Sequence, residues 1–410
     1  MSHALNRYLF LVLLASVTLP TYAGTPLKVF ILAGQSNMQG HAEVRTFEHI
    51  GMDPQTAPIL AEMQNADGSP KTCDDVWISS IGHDGTETER LGKLTADFGA
   101  AGRGPKIGPE YTFGIYMQKF LGEPILIIKT AWGGKSLHTD FRSPSAGAYE
   151  FNSQELENLQ KRGQDIDAVR AERIAATGKY YRLMLQHVRH VLNDIGRVCP
   201  DYDSDAGYEL AGFVWFQGWN DMVDGGVYPD RGQPGGYDNY SSALAHFIRD
   251  VRQDLAAPEM PFVIGVMGAG GPVEDYGPAQ QRYKSIHAEF RQAMAAPASM
   301  PEFAGNVVAV YTEKYWDAQL SELTQRWGQV GAKQRELQKD ESLTKQQREA
   351  AVEAFTAELY SPEERHILEV GKSNAEYHYL GSSKIMAQIG KAFAEALVPA
   401  LAPQEANSQP

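Results

Sequence analysis

An α/β fold, a three-layer α/β/α arrangement around a doubly wound parallel sheet, is what the 410-residue sequence predicts, and three observations predict it. Short, almost continuously apolar runs recur along the chain, the mark of strands buried on both faces. Stretches with apolar residues at helical spacing separate most of them, so strand and helix alternate. Two of the runs are followed closely by a glycine and polar side chains, Gly34-Gln-Ser-Asn and Gln217-Gly-Trp-Asn-Asp. Such residues lie past carboxyl strand ends, where open α/β sheets bind ligands.

The predicted strands are Lys28–Ala33, Val76–Ser80, Ile125–Thr130, Gly212–Phe216, Phe262–Met267 and Val307–Tyr311. Helical spacing covers Pro109–Leu121, whose proline suits the first helical position, then Lys179–Ile195, Tyr240–Leu255, Ala279–Met294 and Lys384–Leu397. Three stretches exceed a minimal version of this fold. Residues 44–103 are polar, rich in Gly and Asp, and contain one clear strand. Residues 150–175 are charged and helix-prone, and 317–366 read as an inserted helical hairpin. No repeat or Pro/Ser linker divides residues 24–402, which are expected to form one domain; 403–410 read as a flexible tail.

The apolar fraction of 43% suits a chain with a sizeable core. A net charge of −14 argues against a general nucleic-acid binder. Residues 1–23 resemble a secretory signal. Arg7 supplies the positive charge, Tyr8–Leu19 is an apolar run too short to span a bilayer, and Thr21-Tyr22-Ala23 places small residues for cleavage before Gly24. The mature chain is therefore expected to be secreted or periplasmic, with no membrane partner. Cys73 and Cys199 are either a disulfide or two buried thiols.

Four stretches carry chemistry. Ser36 follows Gly34 across a tight turn and is either a nucleophile or a helix cap. Gly108 precedes a helix start, where a backbone N–H could approach a ligand oxygen. Gln217 and Asn220 carry amides just past a strand, positioned to donate to a developing oxyanion. His378 sits in the last loop before the final helix and is a candidate general base for Ser36. A fifth stretch, Trp132-Gly-Gly-Lys135-Ser136, lacks the upstream glycine of a phosphate loop, because that position is Lys129. Trp132 there is either a sugar-stacking platform or core.

Gly34-Gln35-Ser36-Asn37, Gly108, Gly218-Trp219-Asn220-Asp221 and His378 stand in the chain order of the four signature blocks of SGNH (GDSL-like) hydrolases, which they resemble. The Gly-Gln-Ser-Asn-Met form is similar to the sialate O-acetylesterase and carbohydrate esterase family 6 group, which includes acetylxylan esterases. The resemblance implies a flavodoxin-like SGNH fold and an exported serine esterase that deacetylates carbohydrates, with no metal or cofactor. It implies Ser36 as nucleophile and His378 as base. It also implies an oxyanion hole from the N–H groups of Ser36 and Gly108 and the amide of Asn220, with Gln217 as a further candidate. The family's Asp-x-x-His would place aspartate at 375, where this chain has Ala375. Three repairs are open: Glu376, which shares a face with His378 in an extended segment; Asp221 or Asp224 folding in; or a Ser–His dyad held by a backbone carbonyl. Substrate contacts are expected from Gln35, Trp132, Lys135, His138 and Asp140. Two other readings stand beside this one: a catalytically impaired carbohydrate-binding protein, which Ala375 favours, and an esterase of lipids or other small esters. The sequence leaves the oligomeric state open.

Overall fold

The computed structural model describes residues 24–401. The signal read over 1–23 and the tail read over 403–410 lie outside the described residues. Seven strands form the main sheet: β1 (Leu27–Gly34), β2 (Val76–Ile81), β3 (Arg90–Lys93), β4 (Ile125–Ala131), β5 (Tyr208–Phe216), β6 (Phe262–Val266) and β7 (Val307–Tyr311). Their order is β3-β2-β4-β1-β5-β6-β7. Every neighbouring pair is parallel except β2 and β3. The six expected strands are present. The edge strand β3 was not anticipated, because Arg-Leu-Gly-Lys has one apolar residue and no buried face to impose a pattern.

The helices that bear on the site are α1 (Ser36–Gln39), α2 (Glu110–Leu121), α3 (Lys179–Asn193), α4 (Trp219–Val223), α5 (Asp238–Asp254), α6 (Lys284–Ala295), α7 (Ala318–Gln338), α8 (Lys345–Leu359), α9 (Pro362–Gly371) and α10 (Ser383–Leu401). Side chains alternate across a strand, so β1 feeds two cores. Val29, Ile31 and Ala33 pack with Met184 and Val188 of α3, Leu244 and Phe247 of α5, and Phe290 of α6. Phe30 and Leu32 pack with Phe113 and Met117 of α2 and with Ile389 and Phe393 of α10. The result is the expected three-layer α/β/α sandwich.

The chain builds β2 to β4 on one side of β1 and then crosses to build β5 to β7 on the other. The carboxyl end of β1 is therefore the topological switch point. Register levels three strand ends there, since Gly34 pairs with both Ala131 and Phe216.

The insertions differ from expectation in detail. Residues 150–175 form two helices, Ser153–Lys161 and Ile166–Ala176. The expected hairpin at 317–366 is three helices, α7 to α9, because Ser361 caps a further helix at Pro362. Leu320, Leu323, Val330, Tyr360 and Ile367 form a small separate core that also buries Leu380, two residues past His378. Cys73 and Cys199 are free, buried thiols.

Candidate active site

Ser36 opens α1 immediately beyond β1 and is 7% exposed. Gly34 is required by close approach: a Cβ there would lie 2.1 Å from the Phe216 carbonyl oxygen. Gly40 ends α1 at φ 91°, and a Cβ on it would lie 2.3 Å from Gly108. The first turn thus fits between the ends of β4 and β5 and the Gly108 segment. The loop after β4 closes the other side, since a Cβ on Gly133 would lie 3.9 Å from the Ser36 Cβ.

Gln35 is the hub of this corner. Its Nε2 donates to Asn220 Oδ1 at 2.9 Å. Its Oε1 accepts from Gly218 N at 3.0 Å, Gln217 Nε2 at 3.2 Å and Asn220 N at 3.4 Å. The Asn220 oxygen is thereby held by a donor, and the amide NH2 makes no hydrogen bond among the described residues. Gln35 Nε2 also lies 3.5 Å from Ser36 Oγ, and no shorter hydrogen bond reaches that hydroxyl among the described residues.

His378 is carried by a strained turn. Tyr379 and Leu380 both have positive φ, 51° and 61°, a conformation held only where the surroundings impose it. Here they do. The buried Tyr379 hydroxyl accepts from Gly268 N at 2.8 Å and bonds Thr312 Oγ1 at 2.7 Å. Leu380 plugs the small core of α7 to α9, and its carbonyl accepts from Ser373 N and Asn374 N, both at 3.0 Å. The turn packs against α1.

The group that orients His378 is Asn374. Its Oδ1 lies 3.0 Å from His378 Nδ1 and also accepts from Ala375 N at 2.8 Å. A backbone N–H can only donate, so the amide oxygen is the atom facing the ring. Nδ1 is then the protonated nitrogen and Nε2 the free base. No carboxylate bonds the imidazole among the described residues, and burial alone pulls its pKa down to about 4. This arrangement can accept a proton from a hydroxyl and hand it on, with an amide as third member.

A family match says which class of protein carries this site. The model of the family "Carbohydrate esterase, sialic acid-specific acetylesterase" matches residues 26–301, more than half of the chain. The chain belongs to that family. It is a carboxylic ester hydrolase of the carbohydrate acetylesterase type. No curated protein matches it. Among solved structures, it is similar to an Arabidopsis thaliana protein at 18% identity and TM-score 0.36, over 70% of this chain and 86% of that one. A carbohydrate acetylesterase of Xanthomonas citri is similar at 15% identity and TM-score 0.39, over 71% of this chain and 51% of that one. The matched family span holds Ser36, Gly108 and Asn220 and stops short of His378.

Several expectations for this esterase need correction. Glu376 does not face His378; its carboxylate accepts from Gln280 Nε2 at 3.4 Å. Asp221, fully buried, accepts from Leu137 N, His138 N and Gln217 Nε2, and so pins the loop after β4. Asp224 lies 3.5 Å from His138 Nε2, and that partner holds its carboxyl down at about 2. Neither aspartate serves His378. Gln217 spends its NH2 on Asp221, Lys135 O and Gln35, so it has no donor left for an oxyanion. The Gly108 N–H donates to Glu110 Oε1 at 2.9 Å and is likewise engaged.

The expected substrate residues are mostly internal. Gln35 is used up by its neighbours. Trp132 is core, 1% exposed, with its indole N–H on the Thr86 carbonyl. His138 is buried, and Asp140 accepts from Ser136 N and Oγ, closing its own loop. Lys135 remains partly exposed, with Nζ 4.4 Å over the Tyr180 ring.

An aromatic row was not foreseen. Trp219 packs on Tyr377 at 5.6 Å, Tyr377 meets His378 edge-on at 4.5 Å, and His41 stacks on His378. Tyr377 is 43% exposed. Neighbouring positions in the sequence, Trp219 beside Asn220 and Tyr377 beside His378, were the available signal.

Beneath the site lies a buried ion pair. Lys129 Nζ donates to Glu110 Oε2 at 2.7 Å and to the carbonyls of Gln39 and Phe98 at 2.9 Å. Burial lowers the Lys129 pKa, and full hydrogen bonding keeps the pair viable. It ties β4 and α2 to the end of α1.

Proposed function

We propose that the protein is an exported serine esterase that removes O-acetyl groups from carbohydrates through an acyl-enzyme on Ser36. The observation that carries this reading is the Asn374–His378 pair beside α1, which leaves His378 Nε2 as a free base. Ser36 Oγ attacks the acetyl carbonyl carbon while His378 Nε2 takes the hydroxyl proton. The oxyanion is met by the Ser36 N–H and the amide NH2 of Asn220. The imidazolium returns its proton to the sugar oxygen as the ester bond breaks. Water, deprotonated by His378, then releases acetate from Ser36.

The sugar is read by the Trp219–Tyr377 pair, where the exposed Tyr377 suits stacking on a pyranose. Acetate is too small to supply much selectivity, so the glycan side sets it. The proposal of export is supported by Arg7, the apolar run Tyr8–Leu19 and the small residues before Gly24. A carbohydrate-binding protein without turnover is the second reading, favoured by the missing carboxylate at His378.

The deciding experiment compares mature wild type with Ser36→Ala for acetate release from 4-nitrophenyl acetate and a panel of acetylated glycans. The esterase reading expects release by wild type alone. Equal inactivity of two folded proteins on every acetyl ester would favour the binding protein.

A further inference from the structure

A Ser–His–Asp triad meets the imidazolium of the transition state with a carboxylate. Here the groups around His378 are neutral or turned away. Asn374 offers an amide oxygen, Tyr377 a ring edge-on, and Glu376 faces Gln280. Lys372, on the same loop, is half-buried, and burial lowers its pKa. The His378 ring also stacks on His41. Its ring lies parallel to His378, with centroids 3.9 Å apart and planes 2° from parallel.

Hydrogen bonding does not explain where this side chain sits. His41 Nε2 is buried without a partner among the described residues, an arrangement proteins rarely keep. The backbone, by contrast, is built to aim it. Gly40 at φ 91° turns the chain after α1. Ser373 Oγ then donates to the His41 carbonyl at 3.3 Å and accepts from Glu43 N at 3.1 Å, so the segments bearing the two rings are stitched together. Burial, with the His378, Lys106 and Lys129 charges adding to it, pulls the His41 pKa down to about 3, and the ring stays neutral while His378 cycles. Lys106 is turned onto the carbonyls of Ala100, Ala101 and Gly102, and Lys129 onto Glu110.

We propose that His41 is a positioning residue for His378: its neutral ring face fixes the plane of the imidazole and stabilises the imidazolium from above the ring, where Asn374 at Nδ1 offers no charge. This rests on the acyl-transfer reading of the site. A π-face against a cation is favourable, modestly at open sites and more where water is excluded.

The test compares His41→Phe, which keeps a flat π-face, with His41→Leu, which fills the space without one. Turnover of 4-nitrophenyl acetate, its pH profile and thermal melting are measured for both. His41→Leu is expected to lose about 3- to 30-fold in kcat with KM nearly unchanged, and its acid limb to move to lower pH. His41→Phe is expected to stay near wild type in both. Equal behaviour of the two variants, whether both active or both impaired, overturns the proposal, and melting identifies simple misfolding. The His378 resonance is also titrated by NMR in ¹⁵N-histidine-labelled proteins. If wild type shows no turnover that Ser36→Ala abolishes, the esterase reading has failed and this titration decides alone: a lower His378 pKa in Leu than in Phe supports the stack, and identical values overturn it.

Discussion

Replacing Asn374 by Asp would put a charge where the structure has an amide. The Asn374 Oδ1 already lies 3.0 Å from His378 Nδ1 and accepts the Ala375 N–H, so an aspartate needs no rearrangement and is kept ionised by the same donor. His378 is held at about 4 by burial with no opposing charge. An anion in hydrogen-bond contact raises a partner's pKa by roughly 1–3 units. In the proposed mechanism the base form of His378 takes the proton, so activity is expected to rise with pH through this value. The acid limb of kcat/KM should therefore move from about 4 in wild type upward by roughly 1–3 pH units in Asn374→Asp. Each unit is about 1.4 kcal/mol of added preference for the imidazolium. Since that cation forms in the transition state, the plateau rate above pH 8 should rise, by about tenfold for each 1.4 kcal/mol expressed there. Asn374→Ala should lower the plateau instead, because a free ring loses both orientation and tautomer. The assay is initial-rate hydrolysis of 4-nitrophenyl acetate from pH 3.5 to 9, with folding followed by circular dichroism at each pH. An acid limb in Asn374→Asp that coincides with wild type would refute the assignment of Asn374 as the partner of Nδ1.

Other consequences are open to direct measurement. Gln35→Ala leaves Gly218 N and Gln217 Nε2 without their shared acceptor and frees the Asn220 amide; a loss of about 2–3 kcal/mol in urea unfolding is expected, with kcat falling more than KM rises. Tyr377→Ala should raise KM for acetylated glycans several-fold and leave KM for 4-nitrophenyl acetate unchanged; equal effects on both would remove the sugar-platform role. Burial holds His187 and His287 at about 4, below the ordinary 6.5, so the unfolded chain binds more protons between those values. Stability should be full above pH 6.5 and fall as pH drops from 6.5 towards 4, and urea midpoints at pH 7.5, 5.5 and 4.5 would show it. Lys129→Met should cost about 3–5 kcal/mol by stranding Glu110, and adding Glu110→Leu should recover part of it.

The sheet was legible because five of its seven strands are largely buried on both faces. Runs such as Val29–Ala33 have no polar partner to alternate with, so composition alone marks them. The same logic concealed β3, an exposed edge strand of four residues whose pairing with β2 is decided by the backbone. Ser36 and Asn220 were legible for a related reason: each follows a buried strand within a few residues, and parallel strands level their ends.

The partner of His378 was not legible, and the reason is conformational. An extended segment would put Glu376 and His378 on one face. Instead the chain turns tightly from Glu376, places Tyr379 and Leu380 at positive φ, and brings Asn374 round to Nδ1. That turn is held by Thr312, by Gly268 and by the core of α7 to α9, all distant in sequence. Gln35, Trp132, His138 and Asp140 misled in the same way, since polar or aromatic character at a strand end says nothing about which neighbours will claim the side chain. The sequence by itself determined the layers, the turn that carries Ser36 and the candidate base, because these follow from local patterns of burial and glycine. Tertiary structure alone decided what faces His378, because orientation of a loop side chain depends on packing and hydrogen bonds that no local pattern records.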